Sequence, residues 1–186
     1  MPERNVLEPG EQDLLRLAKN GNPRAQKAIF DRLAPKMSAV CLRYMGDPMA
    51  AEDVLQDGFV TLFSKLDSFS GVGSFEGWAR KIFVNTALMS LRKSDVLKGS
   101  AEVEVAGGME SPGVTALQNI GYKEIMRMVA ELPPGFRTVF NMYVVEGYSH
   151  KDIADILGIS ENTSRSQLQR ARVLLQAKIK KMNDER

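Results

Sequence analysis

Between residues 95 and 118 the chain reads DVLKGSAEVEVAGGMESPGVTALQ, and this stretch constrains every fold the rest can adopt. Glycines, a proline and acidic side chains interrupt any sustained helical period, so the stretch reads as a flexible linker dividing two domains. On both sides of it apolar residues recur at helical spacing. A length of 186 residues leaves room for one ordinary domain or two small ones, and the break favours two.

Composition narrows the class. Apolar residues make up 44% and charged residues 26%, as in ordinary soluble helical proteins. There is no run of eighteen apolar residues and no charged-then-apolar N-terminal segment. Neither membrane insertion nor secretion is expected, and a cytoplasmic location is. The single cysteine, Cys41, cannot form an internal disulfide; within VCLRYM it reads as a buried structural thiol. Net charge is only +2, but residues 161–181 hold Arg165, Arg170, Arg172, Lys178, Lys180 and Lys181 against Glu161 alone. A local basic patch of this kind suits a phosphate backbone, although it also suits the dipole of a solvated helix end.

The predicted fold class is all-α. Residues 11–19 and 23–44 carry Leu14, Leu15 and Ala18, then Ile29, Phe30, Leu33, Met37, Val40 and Tyr44 at helical spacing. Asp47-Pro48 opens a further helix to about residue 66, with an N-cap carboxylate followed by a proline that lacks the amide a cap would satisfy. Glycines 71, 73 and 77 mark residues 68–78 as a loop, and Ser74 reads as the cap of a helix reaching about residue 92. On a helical wheel Phe75, Trp78, Ala79, Ile82 and Met89 form that helix's expected buried side, and Lys81, Asn85, Leu88 and Arg92 share a second stripe at spacings of four, three and four residues. After the linker come helices at 120–132, from the Pro133-Pro134 pair to 146, at 149–157 with Asp152 as capping-box partner, and at 161–181. In the second of these Phe136, Val139, Phe140, Tyr143 and Val144 are the expected core side.

The last two helices, joined by Gly158-Ile159-Ser160, have the layout of a helix-turn-helix. Leu168, Ala171 and Leu175 fall on one side of the final helix, and Asn162, Arg165, Ser166, Gln169 and Arg170 spread over the other. An arginine- and amide-rich front suits reading of base edges in the major groove. The wheel alone leaves an ordinary amphipathic helix equally open.

Longer strings carry more. Residues 132–175, LPPGFRTVFNMYVVEGYSHKDIADILGISENTSRSQLQRARVLL, resemble the C-terminal domain of sigma-70 family RNA polymerase sigma factors. The resemblance implies −35 promoter contacts by Arg165, Ser166, Gln169 and Arg170, with Lys151 and Thr163 near phosphates. Ser164 stands where many relatives carry valine, and looser packing or a hydroxyl bonded back to the preceding turn is expected there. AEDVLQDGFVTLF, residues 51–63, resembles the region that docks on the clamp helices of the polymerase's largest subunit, which assigns Glu52, Asp53, Gln56 and Asp57 to core binding. From residue 75, F-x-G-W-A-R-x-I-F-x-N-T-A-x-x-x-L-R-K resembles the region that recognises and opens the −10 element. It implies base capture by the 68–74 loop with Asn85, and phosphate contacts by Arg80 and Lys81, with Arg92 on the same stripe; Met89 departs from an aspartate common in relatives.

With only a short linker between them, the two matches resemble the extracytoplasmic-function (ECF) group. That implies a domain at 10–95, a linker at 96–118 and a second domain at 119–181. It implies as partners promoter DNA and core RNA polymerase, the latter through its clamp helices and the part that contacts the second domain. An anti-sigma factor is a further partner the resemblance allows. No cofactor or metal is expected. Two other classes compete: a DNA-binding regulator independent of polymerase, and an enzyme. The first would use residues 1–95 as a regulatory domain; a response-regulator form of it would need a receiver domain with strands, and the N-terminal half shows no alternating strand pattern. The second lacks a Walker loop, a metal-ligand set or a nucleophile signature, and the sole histidine, His150, reads as solvent-exposed or phosphate-contacting.

Overall fold

In the computed structural model, residues 9–94 and 121–184 are described, and the 96–118 linker lies outside them. The regular elements are helices: α1 (Pro9–Lys19), α2 (Pro23–Met45), α3 (Pro48–Ser64) and α4 (Phe75–Lys93), then α5 (Tyr122–Ala130), α6 (Pro134–Phe140), α7 (His150–Leu157) and α8 (Glu161–Asp184). The chain divides into two compact units near residue 90.

Helix starts follow local chemistry. The Asn22 side chain accepts hydrogen bonds from the amides of Arg24 and Ala25 at 3.0 and 3.1 Å, and Pro23 takes the first helical position of α2. Asp47 accepts from the Ala50 amide at 2.9 Å to open α3, as its pairing with Pro48 suggests. Ser74 accepts from the Gly77 amide at 3.2 Å at the head of α4. Gly46, at φ 72°, closes α2 with a left-handed residue that a side chain would strain.

In the N-terminal unit, α1 and α3 pack on α2. Ile29, Leu33, Met37, Val40 and Tyr44 of α2 are buried with Val54, Phe59 and Leu62 of α3. Each such side chain stabilises the fold by about 1.5–3 kcal/mol relative to exposure. Phe30 differs from its expected core place: it is 43% exposed, with its ring 4.5 Å from that of Phe59. Cys41 is fully buried, and burial pushes its thiol up to about 12. A thiol reagent at pH 8 should therefore leave Cys41 untouched in the native protein and react only on unfolding; fast labelling of the native chain would contradict that packing.

The close fit of α3 to α4 rests on Gly58. A β-carbon there would overlap the Phe83 ring, which is itself fully buried and lies edge-on to Phe59 with centroids 5.0 Å apart. Gly58→Ala gains about 1 kcal/mol of helix propensity but costs roughly 1–3 kcal/mol of overpacking. A lower denaturation midpoint is expected, and a raised one would show that Phe83 relaxes freely.

The packing also decides which side of α4 is buried. Phe75, Ala79, Phe83, Val84, Ala87, Leu88 and Leu91 are inside, whereas Met89 is 69% exposed and Trp78 and Ile82 are half-buried. The expected buried side and outer stripe are thus corrected at Met89 and Leu88, which exchange roles. The helix is apolar over most of its circumference, so the wheel offers two plausible sides, and contact with Gly58 and Phe59 selects one.

In the C-terminal unit, α5, α6 and α7 pack on α8. Met128, Val129, Leu132 and Phe136 meet Ala171 and Leu175 in its core. The buried Arg137 guanidinium donates to the carbonyls of Ala130 and Leu132 at 2.8 and 3.1 Å, satisfying the end of α5. Beyond α6, Asn141–Val145 winds as a π-helical turn. The wider turn shifts the register, so Tyr143 and Val144 are 38% and 50% exposed instead of lying on the core side.

Candidate nucleic-acid interface

The motif formed by α7 and α8 is built from its caps. Ser149 and Asp152 form a reciprocal capping box at the start of α7, and Gly158, at φ 68°, ends it. The Ser149 hydroxyl and amide bonds hold the Asp152 carboxyl below its ordinary range. Ser160 caps α8, accepting from the Thr163 amide at 3.0 Å, with the two hydroxyls 2.9 Å apart. Leu168, Ala171 and Leu175 are buried as the wheel requires, and so are Ser164 and Gln167.

Opposite that buried side, Asn162, Arg165, Ser166 and Gln169 are exposed. Arg165 is paired with Glu161 one turn earlier at 2.9 Å. Ser166 donates its hydroxyl to the Thr163 carbonyl at 3.0 Å, which leaves its oxygen free only as an acceptor. Arg170 is half-buried, its guanidinium 6.0 Å from the centroid of the Phe136 ring. Lys151 is exposed on α7.

His150 departs from expectation. Its ring stacks on Tyr143 with centroids 4.4 Å apart and planes 20° from parallel, and its Nδ1 lies 2.9 Å from the Ser164 Oγ. The Ser164 hydroxyl therefore pairs across to α7 instead of back to its own preceding turn. Burial, followed by the nearby Arg165, holds the imidazole below its ordinary value despite Glu161.

On α3, Glu52, Asp53, Gln56 and Asp57 are all exposed, and no hydrogen bond or ion pair with the described residues engages them. Met49 and Val60, 79% and 71% exposed, lie four residues before Asp53 and four after Gln56. Neither was singled out by sequence, although the i, i+4 spacing puts them on the same face.

Along α4, Lys81, Asn85, Met89 and Arg92 form an exposed row, with Arg80 half-buried. Phe69 packs against Phe75 and Trp78, with centroids 5.3 and 5.2 Å away, which pins the preceding loop. Between α1 and that loop lies a cleft of about 400 Å³ lined by Gln12, Arg16, Lys19, Asn20, Asp67 and Ser70, among others. Lys19 crosses its edge to donate to the Phe69 carbonyl at 3.1 Å. Among the described residues no group of three or more His, Cys, Asp or Glu side chains could hold a metal, and no helix is long and apolar enough to cross a membrane.

Comparison with known families settles the ancestry. Residues 29–96 match the model of sigma-70 region 2, and residues 122–175 match that of sigma-70 region 4. The two matches lie in that order and together span about two thirds of the chain. The chain belongs to the sigma-70 family.

Among curated sigma factors, this one is similar to the RNA polymerase sigma-H factor of Pseudomonas aeruginosa, 28% identical over 173 residues that cover 87% of this chain and 90% of that one. It is also similar to the ECF RNA polymerase sigma-E factor of Escherichia coli, 29% identical over 184 residues covering 91% and 94%. Among solved structures, sigma factor RpoE of Bartonella quintana, crystallised with the anti-sigma factor NepR, is 23% identical, with 83% of this chain and 96% of that chain covered and a TM-score of 0.49. Region 2 of this sigma factor carries the exposed acidic face of α3 and the exposed row of α4. Region 4 carries α7 and α8.

Proposed function

We propose that this ECF sigma factor directs RNA polymerase to its promoters by dividing the work between its regions, with residues 10–95 and 119–181 as the working domains and 96–118 as the tether. In region 4, Arg165, Ser166, Gln169 and Arg170 read the −35 element while Lys151 and Thr163 steady the backbone. In region 2, Glu52, Asp53, Gln56 and Asp57 dock on the clamp helices of the largest polymerase subunit. Asn85 with Arg80, Lys81 and Arg92 engages the −10 element, and the 68–74 loop takes an unstacked base, whose extrusion costs a few kcal/mol that contacts must offset. The polymerase supplies the chemistry, and this chain supplies address and strand opening from the cytoplasm. An anti-sigma factor that covers one or both regions fits the same surfaces.

The observation that carries this reading is the contrast between two faces. The face of α3 is acidic and, among the described residues, unpaired, which suits a protein partner and repels DNA, whereas the front of α8 presents arginine and amide groups suited to base edges. The test is run-off transcription on a promoter library with and without core polymerase. Discrete promoters used only when both proteins are present support the reading, and no change in start sites on adding the chain would contradict it.

A further inference from the structure

We infer that the His150–Ser164 hydrogen bond, steadied by Tyr143, sets the rotation of α8 and makes His150 a positioning residue for −35 readout. The inference rests on the reading of α8 as the recognition helix. Ser164 has no exposed surface, and it sits one residue before Arg165 and two before Ser166, so its inward seating decides where those two point outward. An apolar contact at this place would tolerate a slide or a turn of the helix. A hydrogen bond at 2.9 Å does not, because it weakens steeply with distance and angle.

The His150 side of the bond is equally constrained. His150 is the first residue of α7, whose start is locked by the Ser149–Asp152 capping box. Its ring plane is held by the stack on Tyr143, and Tyr143 lies in the π-helical turn that swings it out of the core register. Three elements thus converge on one buried hydroxyl: the π turn, the head of α7 and the first turns of α8. Side-chain tips stand roughly 5–6 Å from a helix axis, so a rotation of about 20° displaces them by about 2 Å. That is enough to spoil a bidentate arginine–guanine pair. His150 acts through α8 and need not touch DNA.

The test uses the full chain with core polymerase on the cognate promoter and on the same promoter with a scrambled −35 element. His150→Phe keeps an aromatic ring for the stack and removes Nδ1; His150→Asn returns an amide near the Nδ1 position, able either to donate to or to accept from the Ser164 hydroxyl. Ser164→Ala removes the other partner, and Arg165→Ala is the reference. His150→Phe should lower the ratio of output on the two promoters about fivefold or more while output on the scrambled promoter stays level. Adding Ser164→Ala to it should cost little more, because the two changes remove one interaction. His150→Asn should recover part of the ratio. A ratio within about twofold of the parent for His150→Phe, equal losses on both promoters that track thermal melting, or no recovery by His150→Asn overturns the inference. A fall for Arg165→Ala alone confines the failure to His150; an unchanged ratio for Arg165→Ala brings down the recognition-helix reading as well.

Discussion

Arg165→Ala is expected to lower −35-dependent transcription by about 1–3 kcal/mol of discrimination, roughly 5–150-fold, with little change in melting temperature. The side chain is exposed near the start of α8, and its partner is Glu161, also largely solvated. A surface pair of this kind contributes at most about 1 kcal/mol, so guanine O6 and N7 can displace Glu161 from the guanidinium. Arg170→Ala should behave differently, because Arg170 is half-buried over Phe136 in the region 4 core. Its loss should lower both promoter output and the melting temperature. Measuring the two variants side by side separates base reading from packing. Equal output for the parent and Arg165→Ala on the cognate promoter would remove Arg165 from the interface.

Asp53→Lys should weaken binding to core polymerase by about 2 kcal/mol or more, at least on the order of thirtyfold, while leaving the fold intact. Asp53 is exposed and unpaired among the described residues, so changing it should move folding stability by only about 0.5 kcal/mol. Reversal places a cation in the middle of an acidic face flanked by Met49 and Val60. Those two would be the apolar contacts of such a surface, and Val60→Asp should weaken docking too. Competition against the parent chain for core polymerase measures both effects; undiminished binding of Asp53→Lys would show that the face lies elsewhere.

Much of this was legible in the sequence because caps are local. Asp47-Pro48, the Ser149–Asp152 box, Gly147 and Gly158 announce their helix ends within four residues, and the structure has them there. The outward side of α8 was legible at Asn162, Arg165, Ser166 and Gln169, whereas Arg170, expected there too, is half-buried over Phe136. What escaped the sequence depends on partners distant in the chain. The exchange of Met89 and Leu88 is decided by Gly58 and Phe59 on another helix. The outward turn of Tyr143 and Val144 follows from one π turn, which a wheel drawn at 100° per residue cannot anticipate. The His150–Ser164 pair joins residues fourteen apart across a turn, and no periodicity connects an imidazole to a serine. Met49 and Val60 were readable in spacing but had no chemistry to draw attention to them.

The sigma-factor role is tested most directly by the affinity of the purified chain for a labelled promoter duplex at physiological salt, measured alone and with core polymerase. A promoter-specific complex is expected only when core is present, and it should be lost on scrambling the −35 element. Tight, sequence-specific binding by the chain alone, unchanged by core, would instead mark a regulator that works independently of the polymerase.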